Sequence, residues 1–253
     1  MKDSCICRCR SLFLCLPLLL GIINSIIVMN IRFNKCLLLA GVFCILMMLP
    51  GCMKVETPVF TGKFEDLGLS VKWGEANLGA TYREDLGNYF AWGETASKEK
   101  FNSSNYKWMK DGLLTKYCTS QHLGNVDGKS SLDIEDDAAC KQLGTGWRMP
   151  TLAEFQELYE KCTWVWSDLG GVRGFMIISN VPGYEDRYIF LPAAGYNPQD
   201  EVMSDNYYCY YWISEIDNDD NTPSARIWRA SAMNAGAGLS PRYYGIPIRP
   251  VHD

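Results

Sequence analysis

The chain has 253 residues, 13% of them aromatic, with 22 glycines and 11 cysteines. That mix is globular and favours a core of strands and turns over a helical bundle. Residues 1–51 contribute five basic groups and one acidic group, so residues 52–253 hold 19 basic and 28 acidic residues, a net charge of −9. Such a charge repels phosphate backbones and argues against a nucleic-acid partner.

Arg8 and Arg10 precede an apolar run from Leu12 to Val28. A second run, Cys36 to Pro50, follows Arg32 and Lys35 and ends in Leu49-Pro50-Gly51-Cys52. A positive start, a short apolar stretch and a cysteine at the cleavage point are the features of a bacterial lipoprotein signal peptide. Met29 by itself opens such a peptide. Residues 1–28 therefore read as an upstream extension or extra apolar segment, and residues 29–51 as the signal peptide. Residues 52–64 form a lipidated linker, and residues 65–253 the domain. The rival reading is a transmembrane helix over residues 12–28 with the second run as a re-entrant or spanning segment, and two adjacent spans leave the lipobox unexplained. Acyl chains on Cys52 would anchor the protein to a membrane. The expected location is the cell envelope, as an outer-membrane lipoprotein facing the periplasm or the medium.

Seven cysteines lie in the leader or at the lipid site. The other four, Cys118, Cys140, Cys162 and Cys209, suit an oxidising compartment and allow three disulfide pairings; free thiols are the alternative. No Cys-x-x-Cys pair points to zinc.

Along the domain, Leu67, Leu69 and Val71 alternate ahead of Trp73, which predicts a half-buried strand. Gly79 and Gly87 bracket a turn, and Tyr89 to Glu94 is a second apolar piece. Residues 95–130 are polar and read as a long surface excursion. Two short helices come next. Asp133 is placed to cap the first, with Glu135, Asp136 and Asp137 in its first turn and Gly144 at its end. Thr151 and Glu154 form a capping box for the second. Phe155, Leu158, Tyr159 and Cys162 follow on one helical face. Trp147, between the helices, reads as a buried anchor. Strands are expected over Gly174–Ser179 and Tyr188–Pro192, then Tyr207–Ser214, Ala225–Met233 and Tyr243–Val251.

These pieces resemble the Fibrobacter succinogenes major paralogous domain, a family frequent in exported lipoproteins of the Bacteroidetes. The matching segments are Asp66-Leu-Gly-Leu-Ser-Val-Lys-Trp73, Tyr89-Phe-Ala-Trp-Gly-Glu94, Glu135-Asp-Asp-Ala-Ala139, Trp147-Arg-Met-Pro-Thr151 and Phe155-Gln-Glu-Leu158. Cys162-Thr-Trp164, Phe190-Leu-Pro-Ala-Ala-Gly-Tyr196, Tyr210-Tyr-Trp212 and Ile248-Arg-Pro-Val251 continue the likeness, which spans about residues 65–251. The resemblance implies an α+β C-type lectin-like fold: two helices, a mixed, mainly antiparallel sheet, and long loops bearing a ligand surface. The chain departs from the family at Ile213, where Tyr-Tyr-Trp-Ser-Ser is common. It also lacks the Glu-Pro-Asn and Trp-Asn-Asp motifs of calcium-dependent lectins, which argues against calcium-dependent sugar binding.

The search for other chemistry leaves little. Gly124-Asn-Val-Asp-Gly128-Lys129-Ser130 has three residues between its glycines where a Walker A loop needs four, so it reads as a turn. His122 and His252 are too few and badly placed for a Ser-His-Asp site. The loop Asp217 to Asn221 offers oxygen ligands to calcium but lacks the spacing and glycine of an EF-hand. No catalytic residue, cofactor or metal is expected.

The suggestive surface is C-terminal. Tyr207, Tyr208, Tyr210, Tyr211, Trp212, Trp228, Tyr243 and Tyr244 crowd together with Asn206, Asn218, Asn221, Arg226, Arg229, Asn234 and Arg242 between them. Rigid aromatic rings with adaptable hydrogen bonders resemble a paratope. Tyr211, Trp212 and Tyr244 are expected in the core. Tyr207, Tyr208, Tyr210, Asn218, Arg226, Trp228, Arg229, Asn234 and Tyr243 are the expected contacts to a glycan or protein. An enzyme acting on polysaccharide or protein, or a structural fimbria-associated component, is the alternative. A further expectation is that residues 206–243 form a diversified surface, as in retroelement target proteins.

Overall fold

The computed structural model describes residues 62–203, 205–217 and 222–253. All belong to one compact unit. The Cys52 lipid site and the leader lie outside the described residues.

Among the described residues the chain is mostly sheet with two α-helices, an α+β or mainly-β architecture. The first strands are β1 (Phe64–Glu65), β2 (Lys72–Gly74), β3 (Tyr89–Phe90), β4 (Met109–Lys110) and β5 (Leu113–Leu114). Helix α1 (Ala138–Leu143), β6 (Trp147–Arg148) and helix α2 (Leu152–Lys161) follow. Then come β7 (Cys162–Leu169), β8 (Val172–Ser179), β9 (Tyr188–Pro192), β10 (Cys209–Trp212), β11 (Ser224–Ala230), β12 (Ala235–Pro241), β13 (Ile246–Pro247) and β14 (Val251–His252). Three sheets organise the fold, in the orders β1-β2-β14-β6, β7-β8-β9 and β10-β11-β12. In the first, β14 pairs with both β2 and β6, so the end of the domain closes onto its beginning.

The region around α1 and α2 follows local chemistry closely. Thr151 Oγ1 accepts from the Glu154 N–H at 3.3 Å, and Glu154 Oε2 accepts from the Thr151 N–H at 2.7 Å, completing the capping box. Arg148 grips the same carboxylate with two bonds of 2.9 and 2.6 Å. Phe155 and Leu158 are fully buried and Trp147 nearly so, whereas Tyr159 is exposed. Cys162 has left the helix and opens β7. The cap of α1 is Asp137, not Asp133: its carboxylate accepts from the Ala139 and Cys140 N–H groups, and from the Met149 N–H at 2.7 Å. Asp133 precedes a separate 3-10 turn over Ile134–Asp136 and makes no cap bond.

The burial of Leu67, Val71 and Trp73 follows the alternation, but the strand is confined to Lys72–Gly74. Asp66 Oδ1 accepts from the Gly68 N–H at 2.9 Å, and Gly68 has φ +71°, so a side-chain-closed turn replaces the ladder there. The polar excursion carries a core of its own. Ala91, Phe101, Tyr106, Leu114 and Cys118 form a buried cluster beneath it. Beside it, Asp136 joins Lys107 at 3.0 Å, Lys116 at 2.6 Å and the Tyr117 hydroxyl at 2.7 Å. Burial alone would raise the Asp136 carboxyl; bonds from Lys116, Tyr117 and Lys107 outweigh that and hold it below the ordinary carboxylate range. The expected acidic first turn is thus an ion-pair hub that ties the excursion to the fold. None of the four domain cysteines forms a disulfide; Cys118, Cys162 and Cys209 are buried thiols.

The sheet β10-β11-β12 separates two cores. Period-two alternation sends Cys209, Tyr211, Trp228 and Ala230 into one, beneath α2, with Phe155 and Leu158. It sends Trp212, Ala225 and Ile227 into the other, which contains Ala138, Ala139 and Tyr117. The Trp228 ring stacks on Phe155 at 5.4 Å with 3° between planes.

Candidate functional site: a tyrosine groove

Alternation along β10 and β11 divides the residues expected to bind ligand. Trp228 is 3% exposed and belongs to the core under α2. Its expected place on a ligand surface is therefore corrected: Trp228 and Arg229 are neighbours in sequence, so they point to opposite faces of the sheet. Arg226 shares the parity of Trp228. It lines a polar cleft of about 370 Å³ with Ser130, Leu152, Gln156 and Glu215. The charged side chains in that cleft already have protein partners. Arg226 pairs with Asp217 at 3.3 Å, and Glu215 accepts from the Leu152 N–H at 3.0 Å. The larger cleft is therefore the poorer candidate.

The opposite face brings together Tyr210 and Arg229, which are direct partners in the β10–β11 register. With Tyr196, Tyr244, Ile227 and the β12 segment Gly238–Pro241 they line a groove of about 260 Å³. Two backbone links assemble it. The Gly195 N–H donates to the Tyr208 carbonyl at 3.0 Å, and Asn197 and Gly245 exchange two bonds of 2.7 Å. The short segment 195–197 thereby holds Tyr196 between the ends of β10 and β13. The result is a continuous run of ring contacts. Tyr208 meets Tyr210 at 5.8 Å, Tyr210 meets Tyr196 at 5.1 Å, and Tyr196 stacks on Tyr244 at 5.8 Å with 21° between planes. Tyr244 meets Tyr243 edge-on at 5.3 Å. All five rings are half-buried, so each keeps part of its surface in solvent.

Tyr244, expected in the core, is a wall of this groove, while Tyr211 and Trp212 are core as expected. Burial raises the Tyr210 phenol above its ordinary value, with the Arg229 charge pulling the other way. It stays a neutral hydrogen-bonding group across the physiological range. The Arg229 residue is exposed and, unlike Arg226, has no carboxylate partner among the described residues. Gly238 forms part of the lining, and a Cβ there would meet only Ile227 carbons at 3.5 and 3.7 Å.

Other expected contacts sit elsewhere. Tyr207 is 67% exposed and makes no ring contact with the groove tyrosines. Asn234 closes the β11–β12 turn, its carbonyl accepting from the Ser231 N–H at 2.7 Å. Asn218 lies outside the described residues, as does most of the expected calcium loop. Among the described residues no group of three or more His, Cys, Asp or Glu side chains is placed to hold a metal.

The residues missed were Tyr196, Gly238 and Ser240. Ala235-Gly-Ala-Gly-Leu-Ser-Pro241 is poor in β-formers, so β12 did not read as a strand. Ser231-Ala-Met-Asn234, directly after a strong strand, was the available hairpin signal. No family model, no curated protein and no solved structure matches the chain.

Proposed function

We propose that this is an exported, lipid-anchored protein of the cell envelope whose C-type lectin-like domain recognises a glycan or protein at the tyrosine groove. The lipobox ending at Cys52 supports export and anchoring. The order of two helices followed by antiparallel strands, and the closure of β14 onto β2, are compatible with the lectin-like fold. The observation that carries the recognition reading is the five-tyrosine run bordering a groove with an exposed arginine. Tyrosines offer broad contact area at low entropy cost, with a hydroxyl for orientation.

The test is a screen of the full chain, in a non-glycosidic detergent, against glycan and envelope-peptide arrays, in parallel with Gly238→Leu. Saturable binding that Gly238→Leu abolishes is the expected result. Binding that ignores this substitution removes the groove from the function. The anchor is tested separately: Cys52→Ala should abolish metabolic labelling with palmitate and release the protein from membranes.

A further inference from the structure

The groove is small. At about 260 Å³ it falls below the roughly 300–1,000 Å³ typical of drug-sized sites. It therefore accommodates one ring-sized group and not an oligomer laid lengthwise. Its walls are the rings of Tyr196, Tyr210 and Tyr244, with the Ile227 side chain as apolar surface and Ser240 as a further hydroxyl. Three classes of compact ligand suit tyrosine walls, and the charges on the page decide among them.

A quaternary ammonium group suits an aromatic cage, but the Arg229 guanidinium beside Tyr210 places a positive charge in the same site. A nucleotide or single-stranded nucleic acid stacks on tyrosine, but it brings more than one negative charge where the groove lining holds a single cation, Arg229, in a domain of net charge −9. A sugar ring satisfies the remaining features. Its C–H face packs on an aromatic ring, its hydroxyls exchange bonds with the tyrosine and serine hydroxyls, and a single ring fills the volume. The exposed guanidinium, with no carboxylate partner among the described residues, then supplies a planar fork matched to one carboxylate on the ligand.

Resting on the groove reading above, we infer that the groove takes one sugar ring that carries a carboxylate, a residue of the uronic-acid class. The Arg229 guanidinium holds the carboxylate while Tyr196, Tyr210 and Tyr244 hold the ring. Gly238 keeps the floor clear, because any longer side chain there projects into the space the ring needs.

The experiment is calorimetric titration of the full chain, in a non-glycosidic detergent, with trigalacturonate and with the neutral galactotriose of matched size. Native protein, Arg229→Gln and Gly238→Leu are compared, with thermal melts as the folding control. Native protein should bind the acidic sugar at least tenfold more tightly than the neutral one, and rising salt should weaken that preference. Arg229→Gln should erase the preference and leave the melt unchanged, and Gly238→Leu should abolish both. Equal binding of the two sugars, unaffected by Arg229→Gln but lost in Gly238→Leu, overturns the charge assignment and leaves the groove as a sugar site. No sugar binding, with an envelope peptide captured by native protein and lost in Gly238→Leu, overturns the sugar assignment and leaves the groove as a protein site. Acidic-sugar binding that survives both substitutions overturns the inference and the groove reading together.

Discussion

The two faces of the sheet β10-β11-β12 share a backbone and differ in what covers them. Under α2, Trp228 lies flat on Phe155 and Tyr211 is sealed from solvent. One residue along, Arg229 stands in water beside Tyr210, and Gly236 and Gly238 leave the facing positions of β12 without side chains. Both faces carry buried side chains, Trp228 and Tyr211 on one and Trp212 and Ile227 on the other, but the groove lies on the second. The aromatic residues of this region supply both the core and the groove walls, which is why composition alone does not separate them.

The contrast is sharpest in stability. Trp228→Ala removes a fully packed ring and should cost about 3–5 kcal/mol, read from denaturant unfolding. Arg229→Gln, one position on, should stay within about 0.5 kcal/mol. Equal losses would mean that the two faces are not distinct.

The second core is sharpened at Asp136. Asp136→Ala strips a charged acceptor from Lys107, Lys116 and Tyr117 and should cost about 1.5–3 kcal/mol. A carboxyl held low in the folded state stabilises above its unfolded pKa, near ~3.9. That contribution is lost as pH falls through the lower folded value. Hydrogen-exchange protection factors in residues 107–118, taken against the intrinsic rate at each pH, should therefore fall in strong acid, and less so in Asp136→Ala.

Thr151→Ala removes the cap of α2, the helix that covers the Trp228 face, and should cost about 1 kcal/mol, visible as a lower denaturant midpoint with the groove still intact. Smallest in stability is Gly238→Leu, which meets only Ile227 at ordinary contact distance at its Cβ; its melt should match native protein while ligand binding disappears.

Local rules carried much of the reading. The capping box at Thr151 and Glu154, the burial of Trp147, Phe155 and Leu158, and the strands around Phe175, Phe190 and Tyr211 follow from sequence spacing and side-chain chemistry within a few residues. Alternation also marked Leu67 and Val71 for burial, although an Asp66–Gly68 turn took the place of the ladder. Period two puts Trp228 and Arg229 on opposite faces of the strand, but both faces bury side chains, so the groove is placed only by strand pairing.

The remainder needed distant partners. Asp136 reads as a helix-dipole charge until Lys107, Lys116 and Tyr117 arrive from up to twenty-nine residues away. Tyr196 and Tyr244 meet only because Asn197 and Gly245 exchange backbone bonds. Ala235–Pro241 is a strand because Ser224–Ala230 supplies a ladder for all seven residues. The sequence by itself determined the capping box of α2, the acidic balance and which short runs are apolar, because these depend on neighbours along the chain. Only the tertiary structure decided which tyrosines form a groove and which arginine stands beside them, because that depends on strand pairing across long separations.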